Sequence, residues 1–220
     1  MAINLLDHFI LSQLTAFLLI FCRIGAALMF MPAFGDHYVS PRIRLLFGLA
    51  FSAVLTPLLI DKMPALPSSS ITLTLLLVSE ILVGVFIGMI GRALMSVLHV
   101  TGTMIAYQSS LAVSSIFDPV TGAQTAVLSN FMTITAITVM LALNLHHYMI
   151  AAMVESYGIF TPGGYPLIED MLKHYTRLLS DCFTLGILLT APHIVFSFVF
   201  YLMGGLMARL MPNFQIFFVM

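Results

Sequence analysis

One apolar stretch of the chain is too long for a simple membrane-spanning helix. Residues 71–104 contain only two charged side chains, Glu80 and Arg92, and would measure about 51 Å as one helix. The hydrocarbon core of a bilayer is about 30 Å thick. Further apolar runs cover residues 9–34, 45–60, 122–145, 149–160 and 183–211. Because 60% of the residues are hydrophobic and only 8% are charged, the sequence predicts an all-α membrane protein.

The lengths of these runs also predict how the helices are arranged. Residues 9–34 are longer than one span needs, residues 45–60 are short for one, and polar breaks occur where lipid-exposed backbone is not allowed. Hairpins of long kinked helices, held by partner proteins, remove this conflict. We therefore expect membrane-derived helical hairpins that pack into a hetero-oligomer, with residues 1–220 as a single domain.

Glu80 begins a stripe of small residues in the longest run. Gly84, Gly88 and Gly91 follow it at helical spacing on the same face, so a neighbouring backbone should press against them. Glu80 would then be buried, with Arg23 or Arg92 as its partner by charge matching. Two roles remain open for this carboxylate, namely structural hydrogen bonding between helices and a functional role such as a proton relay.

The most polar part of the apolar sequence is residues 101–122. Its small and hydroxyl side chains need close packing or hydrogen-bond partners, which lipid does not offer, so it should face protein or a cavity. Asp118 followed by Pro119 stops one helix and suits the start of the next. The stretch is either an ordinary small-residue helix interface with a polar turn or a constriction that lines a path.

Helix boundaries are predicted from the positions of proline, glycine and charged residues. Pro32 and Gly35 should end the first helix, and Thr56-Pro57 should close the run at residues 45–60. Residues 167–183 predict an amphipathic helix at an interface, and residues 183–211 predict a separate apolar segment with a kink point at Pro192.

The sequence lacks the motifs of catalysis and cofactor binding. It contains no phosphate-binding loop, no HExxH, no GxSxG and no Cys/His cluster with ligand spacing, so we expect no enzyme activity, no cofactor and no metal. His146 and His147 are adjacent and point about 100° apart on a helix, which does not chelate one metal. Cys22 and Cys182 are expected to be free thiols. A net charge of −1 gives no indication of nucleic-acid binding.

Several residue groups together resemble the FliR family of flagellar biosynthetic proteins, whose relatives in virulence-type secretion form the SctT group. The matching groups extend over nearly the whole chain and keep the family's order and spacing. They are residues 23–26 (RIGA), 31–35 (MPAFG) and 41–44, Glu80 with Gly84 and Gly88, Asp118-Pro119 with Gly122, Ala191-Pro192, and residues 209–212 (RLMP) leading to Phe217.

The resemblance implies a component of a type III export gate in the bacterial inner membrane, within the flagellar basal body. One such chain would join several FliP-like and FliQ-like subunits and other export apparatus proteins around a channel for unfolded secretion substrates. It implies a further apolar hairpin beyond Met220. It also implies a channel plug just before a motif turn of Asp118, Pro119 and Gly122. The plug residues would be Tyr107, Gln108, Ser109, Ser110, Leu111, Ala112, Val113, Ser114, Ser115, Ile116 and Phe117.

A different class of function also fits the composition. Intramembrane charges are typical of transport pathways, so the chain is alternatively a small self-sufficient carrier of a solute or ion, using Glu80 with Arg23 or Arg92. A carrier would work alone or as a homo-oligomer. A gate subunit would need other proteins to cover its helices.

Overall fold

The structure, a computed structural model, describes residues 2–64, 69–109, 127–164 and 168–210, with side chains from residue 10 onward. In these ranges the regular structure is entirely helical, so the all-α prediction is confirmed. A short 3-10 helix at Ile60–Lys62 follows the second of six α-helices. The six are α1 Ala2–Phe30, α2 Pro41–Leu59, α3 Ser70–Gln108, α4 Val127–Ala142, α5 Leu145–Ile159 and α6 Ile168–Leu210.

The first helix ends where the sequence predicted a break. α1 stops at Phe30, two residues before Pro32. Ala33 then takes a positive φ of 69°, and the Gly35 N–H donates to the Met31 carbonyl at 2.7 Å. A side chain at Gly35 would collide with backbone carbonyls, so this turn requires glycine. α2 begins after Ser40, whose hydroxyl accepts a hydrogen bond as the helix N-cap.

One predicted helix boundary is wrong, because the helix continues through it. α2 includes Pro57 and ends at Leu59, next to the predicted end of that run at residue 60, and α6 runs through the predicted division at residue 183. Pro192, predicted as a kink point, lies inside α6. A change from charged to apolar side chains does not end a helix, since its backbone hydrogen bonds are local. A proline removes one of these bonds, and long helices in apolar surroundings tolerate that loss.

A sharp bend separates α4 from α5. Asn144 adopts a left-handed conformation with φ of 58°, which asparagine tolerates better than most residues. The two helices meet at 77°, and together they are apolar enough to form one broken span. The predicted run at residues 122–145 therefore ends close to the expected position.

The described helices divide into two compact units. Unit 1 comprises Met1–Ala93 and Met140–Arg177, and unit 2 comprises Leu94–Val139 and Leu178–Met220, so α3 and α6 contribute to both. The core of unit 1 is a cluster of apolar side chains from α1, α2 and α5. Its buried members are Ile20, Ile24, Ala27, Leu28, Met31, Leu55, Leu59, Met153 and Tyr157.

Unit 2 is held by contacts between small residues. Gly186 of α6 lies against Val97 and Val100 of α3, and the Thr101 hydroxyl donates to the Gly186 carbonyl at 3.2 Å. Thr190, which is fully buried, follows one turn later on the same face of α6. Small side chains with hydroxyl donors are typical of helix interfaces in membranes.

Among the described residues, four helical segments are long and apolar enough to cross a membrane, and the bent pair α4–α5 would make a fifth. Two of them, α3 with 39 residues and α6 with 43, measure about 58 Å and 64 Å, well beyond the roughly 30 Å that one span requires. Cys22 and Cys182 are free, as predicted.

Candidate functional site

Arg23 and Glu80 form a buried ion pair between α1 and α3. The Arg23 Nε donates to Glu80 Oε2 at 2.5 Å and its Nη2 donates to Oε1 at 3.0 Å, so the guanidinium binds both carboxylate oxygens. Each residue is only 2% exposed. Binding at two points is the strongest arrangement for an arginine and a carboxylate. The pair neutralises two charges that would each be costly in an apolar interior.

Arg23 also binds the last turn of α5. Its Nη2 donates to the Phe160 carbonyl at 2.9 Å, and its Nη1 approaches the Ser156 hydroxyl at 3.4 Å. The guanidinium lies 4.1 Å from the centre of the Tyr157 ring, a cation–π distance. The carbonyls at a helix end lack partners in the helix and attract positive charge. One arginine therefore joins three helices.

The glycine stripe of α3 allows α1 to approach this pair closely. A Cβ atom at Gly84 would overlap the Arg23 carbonyl oxygen, and one at Gly88 would lie 2.6 Å from the Ala27 carbonyl oxygen. Gly91 continues the contact at Pro32 and Met149. The absence of side chains on this face thus sets the distance at which Arg23 meets Glu80.

The structure brings together four of the five residues predicted as buried charges and packing positions. Arg23, Glu80, Gly84 and Gly88 lie at one crossing of α1 and α3, whereas Arg92 is exposed. The contacts with Ser156 and the Phe160 carbonyl were missed from the sequence. They had no local signal, because they lie more than 130 positions from Arg23 in the chain.

A cavity of about 600 Å³ lies beside the ion pair, within unit 1. One wall is a second face of α3, where Ser79, Val83, Phe86 and Ile90 recur at helical spacing. The end of α5 and the first turns of α6 complete the walls. The spacing of the α3 residues was visible in the sequence, but nothing there showed that this face would border a cavity.

A second group of contacts, in unit 2, lies where α3 ends and α4 begins. Gly102 faces Ser129 so closely that a Cβ atom would come within 2.6 Å of the Ser129 Cα. One turn later Ala106, fully buried, packs against Leu128. The last turns of α3 and the first turn of α4 therefore lie side by side.

Two hydrogen bonds join the end of α3 to α6 at the same position. The Tyr201 hydroxyl donates to the Gln108 carbonyl at 3.1 Å, and the Ser109 hydroxyl lies 3.2 Å from His193 Nε2. Tyr107 is exposed beside them. The remaining predicted plug and turn residues lie outside the described residues. They are Ser110, Leu111, Ala112, Val113, Ser114, Ser115, Ile116 and Phe117 of the plug, and Asp118, Pro119 and Gly122 of the turn.

Gly102→Ala is expected to lower the free energy of unfolding by about 1–3 kcal/mol, since the added methyl group separates α3 from α4. The measurement is the detergent-denaturation midpoint of the extracted chain. Gly205→Ala is the matched control in α6, because its Cβ would meet no atom within 4 Å. Equal midpoints for the two variants would contradict the close crossing.

The sequence matches known bacterial export proteins over most of its length. Residues 14–220 match the family described as "Bacterial export proteins, family 1". The flagellar biosynthetic protein FliR of Caulobacter vibrioides is 39% identical over 202 residues, which cover 91% of this chain and 80% of that protein. FliR of Bacillus subtilis is 30% identical over 213 residues, 96% of this chain and 82% of the relative. FliR of Escherichia coli is 26% identical over 209 residues, with coverages of 94% and 78%. The resemblance inferred from the sequence motifs is confirmed.

Proposed function

Because this chain belongs to the family of bacterial export proteins, family 1, we propose that it is a subunit of the flagellar type III protein export gate. It forms part of a channel in the bacterial inner membrane, within the flagellar basal body, and plugs that channel at rest. Unfolded flagellar proteins pass through when the plug moves aside. The subunit has no catalytic role, and energy comes from other parts of the export apparatus.

The observation that carries the plug assignment is the paired ends of α3 and α4. Ala106 and Leu128 pack together, and Tyr201 and His193 hold the last turn of α3 against α6. The chain from Tyr107 to residue 117 thus starts from a fixed base. Its sequence is uncharged, and five of its eleven residues are serine or alanine, which suits a segment that fits a narrow lumen and lets varied polypeptides pass.

Exposed apolar surface supports assembly with FliP-like and FliQ-like subunits. The second half of α6 exposes large apolar side chains around most of its circumference, among them Leu188, Phe196, Phe198 and Leu206. At about 64 Å the helix is twice as long as the hydrocarbon core is thick. Lipid therefore covers only part of this surface, and the helices of other subunits cover the rest.

Deletion of residues 109–113 is expected to raise ion leakage across the inner membrane several-fold while protein export is reduced or misregulated. The reason is that the shortened segment no longer fills the lumen. Leakage is measured with a membrane-potential dye in cells, and export is measured as flagellin in the medium. The control is replacement of the same five residues by Gly-Ser-Gly-Ser-Gly, which keeps the length but changes the side chains.

Native mass spectrometry after gentle extraction is carried out alongside this test. It shows whether the chain that lacks residues 109–113 still assembles with its partner subunits. A single copy bound to multiple copies of two other small membrane proteins is the expected composition. An assembled gate with unchanged leakage and export would contradict the plug assignment. A lone chain or a homo-oligomer would instead favour a self-sufficient carrier that uses Glu80 for coupling.

A further inference from the structure

We propose that the cavity beside Arg23 and Glu80 binds a neutral single-chain amphiphile, an alkyl chain that carries a hydroxyl or amide donor. The cavity belongs to unit 1 alone, and the proposal does not depend on the role of the chain in export. Its volume of about 600 Å³ falls within the roughly 300–1,000 Å³ of known small-molecule sites.

The length of the α3 stripe along the cavity suits an extended chain. The α3 stripe that lines it begins at Ser79 and ends at Ile90, three helical turns later, a rise of about 16 Å. An extended alkyl chain of roughly twelve carbons has the same length. Val83, Phe86 and Ile90 of α3 supply apolar side chains to the lining, and Ile159 of α5 and Met171 of α6 supply more.

The Glu80 carboxylate forms the polar end of the site and would accept a hydrogen bond from a ligand. Arg23 gives one hydrogen bond to each oxygen of Glu80, and an ionised carboxylate offers about four acceptor positions in total. Glu80 lines the cavity although it is only 2% exposed, and we place the hydroxyl or amide donor at an acceptor position that Arg23 does not use.

The charges around the cavity favour a neutral headgroup. Arg23 and Glu80 cancel each other, so a charged ligand gains little from either one. The other titratable side chains of the lining are Asp170 and His174 on α6. Because Asp170 adds a negative charge, an anionic headgroup such as a fatty carboxylate is disfavoured.

The test is photolabelling of the full-length chain in its native membranes, where its partners are present. The reagent is a twelve-carbon alcohol with a diazirine in mid-chain, and labelled positions are mapped by mass spectrometry. We expect labelling at Phe86, Ile90 and Met171 to exceed that at Leu58, an exposed apolar residue of α2, by about tenfold. Labelling no higher in the cavity than at Leu58 would overturn the proposal, including the case in which a partner fills the cavity.

Competition on the unaltered protein tests recognition of the headgroup. Excess 1-dodecanol or dodecanamide should remove the cavity label, whereas dodecane and dodecanoate at equal membrane concentration should remove much less. Equal competition by all four compounds would overturn the proposal, since it would indicate simple partition of apolar chains. Val83→Trp, which places a bulky ring on the apolar wall and narrows the cavity, should lower the cavity label and leave the label at Leu58 unchanged.

Discussion

Glu80→Ala is expected to lower the free energy of unfolding by about 3–5 kcal/mol, because it leaves the buried Arg23 guanidinium without its carboxylate. The loss extends beyond one contact, since Arg23 also holds the end of α5 through the Phe160 carbonyl. The measurement is the midpoint of denaturation in mixed micelles, followed by circular dichroism on the extracted chain.

Two further variants distinguish the loss of the ion pair from a general effect of mutation on stability. Glu155→Ala removes an exposed carboxylate of α5 and should change the free energy of unfolding by no more than about 0.5 kcal/mol. The double variant Arg23→Met with Glu80→Leu should regain most of the lost stability, because apolar residues of similar size can replace a buried pair. A double variant as unstable as Glu80→Ala would show that the guanidinium itself is required, through its contacts with α5.

Gly84→Ala is expected to cost at least about 3 kcal/mol, the upper part of the range for overpacked interiors. The new methyl group would overlap the Arg23 carbonyl oxygen and approach the Ala26 Cβ, and both positions belong to the rigid backbone region of α1. α1 must therefore move away, which also draws Arg23 from Glu80. The same denaturation assay and native co-purification of partner subunits report the result.

Gly158→Ala is the matched control for this substitution. It lies in α5, and a Cβ there would meet no atom within 4 Å. Alanine has a higher helix propensity than glycine. This variant should therefore be as stable as the parent, or its free energy of unfolding should rise by up to about 1 kcal/mol. If Gly84→Ala behaved in the same way, α1 and α3 would not be in the contact described.

The sequence was sufficient to predict the packing stripe but not the choice of partner. Spacing alone placed Glu80, Gly84 and Gly88 on one face of a helix, because helical geometry is local. Whether Arg23 or Arg92 paired with Glu80 depended on which helix packs on that face, which is a long-range property. Arg92 lies one residue beyond the glycine stripe and turns outward.

Some helix boundaries were likewise predictable from the sequence and others were not. A glycine and a proline within a few residues ended α1, since the turn at Gly35 has no room for a side chain. Pro57 and Pro192 did not end their helices, because a single missing hydrogen bond costs less than the packing of the whole segment. The amphipathic start of α6 therefore continues into its apolar part as one element.

At the base of the proposed plug segment, some contacts were predictable from the sequence and others were not. The small residues at Gly102 and Ala106 indicated close packing, as the structure has it with α4. The hydrogen bonds from Tyr201 and His193 were not foreseen, because they join positions more than 80 residues apart in the chain. Sequence patterns indicate which face of a helix is buried, but they do not indicate which other helix packs against that face.

The position of Arg23 in the first helix has a consequence for how the chain enters the membrane during synthesis. Glu80 follows it by 57 residues and Phe160 by 137. Until those segments emerge from the ribosome, an arginine well inside the apolar segment Ile10–Phe30 costs up to about 2.5–3.5 kcal/mol in the bilayer. α1 is therefore held only provisionally when it first reaches the translocon. We therefore expect its insertion to be completed only when α3 and the last turn of α5 have been made.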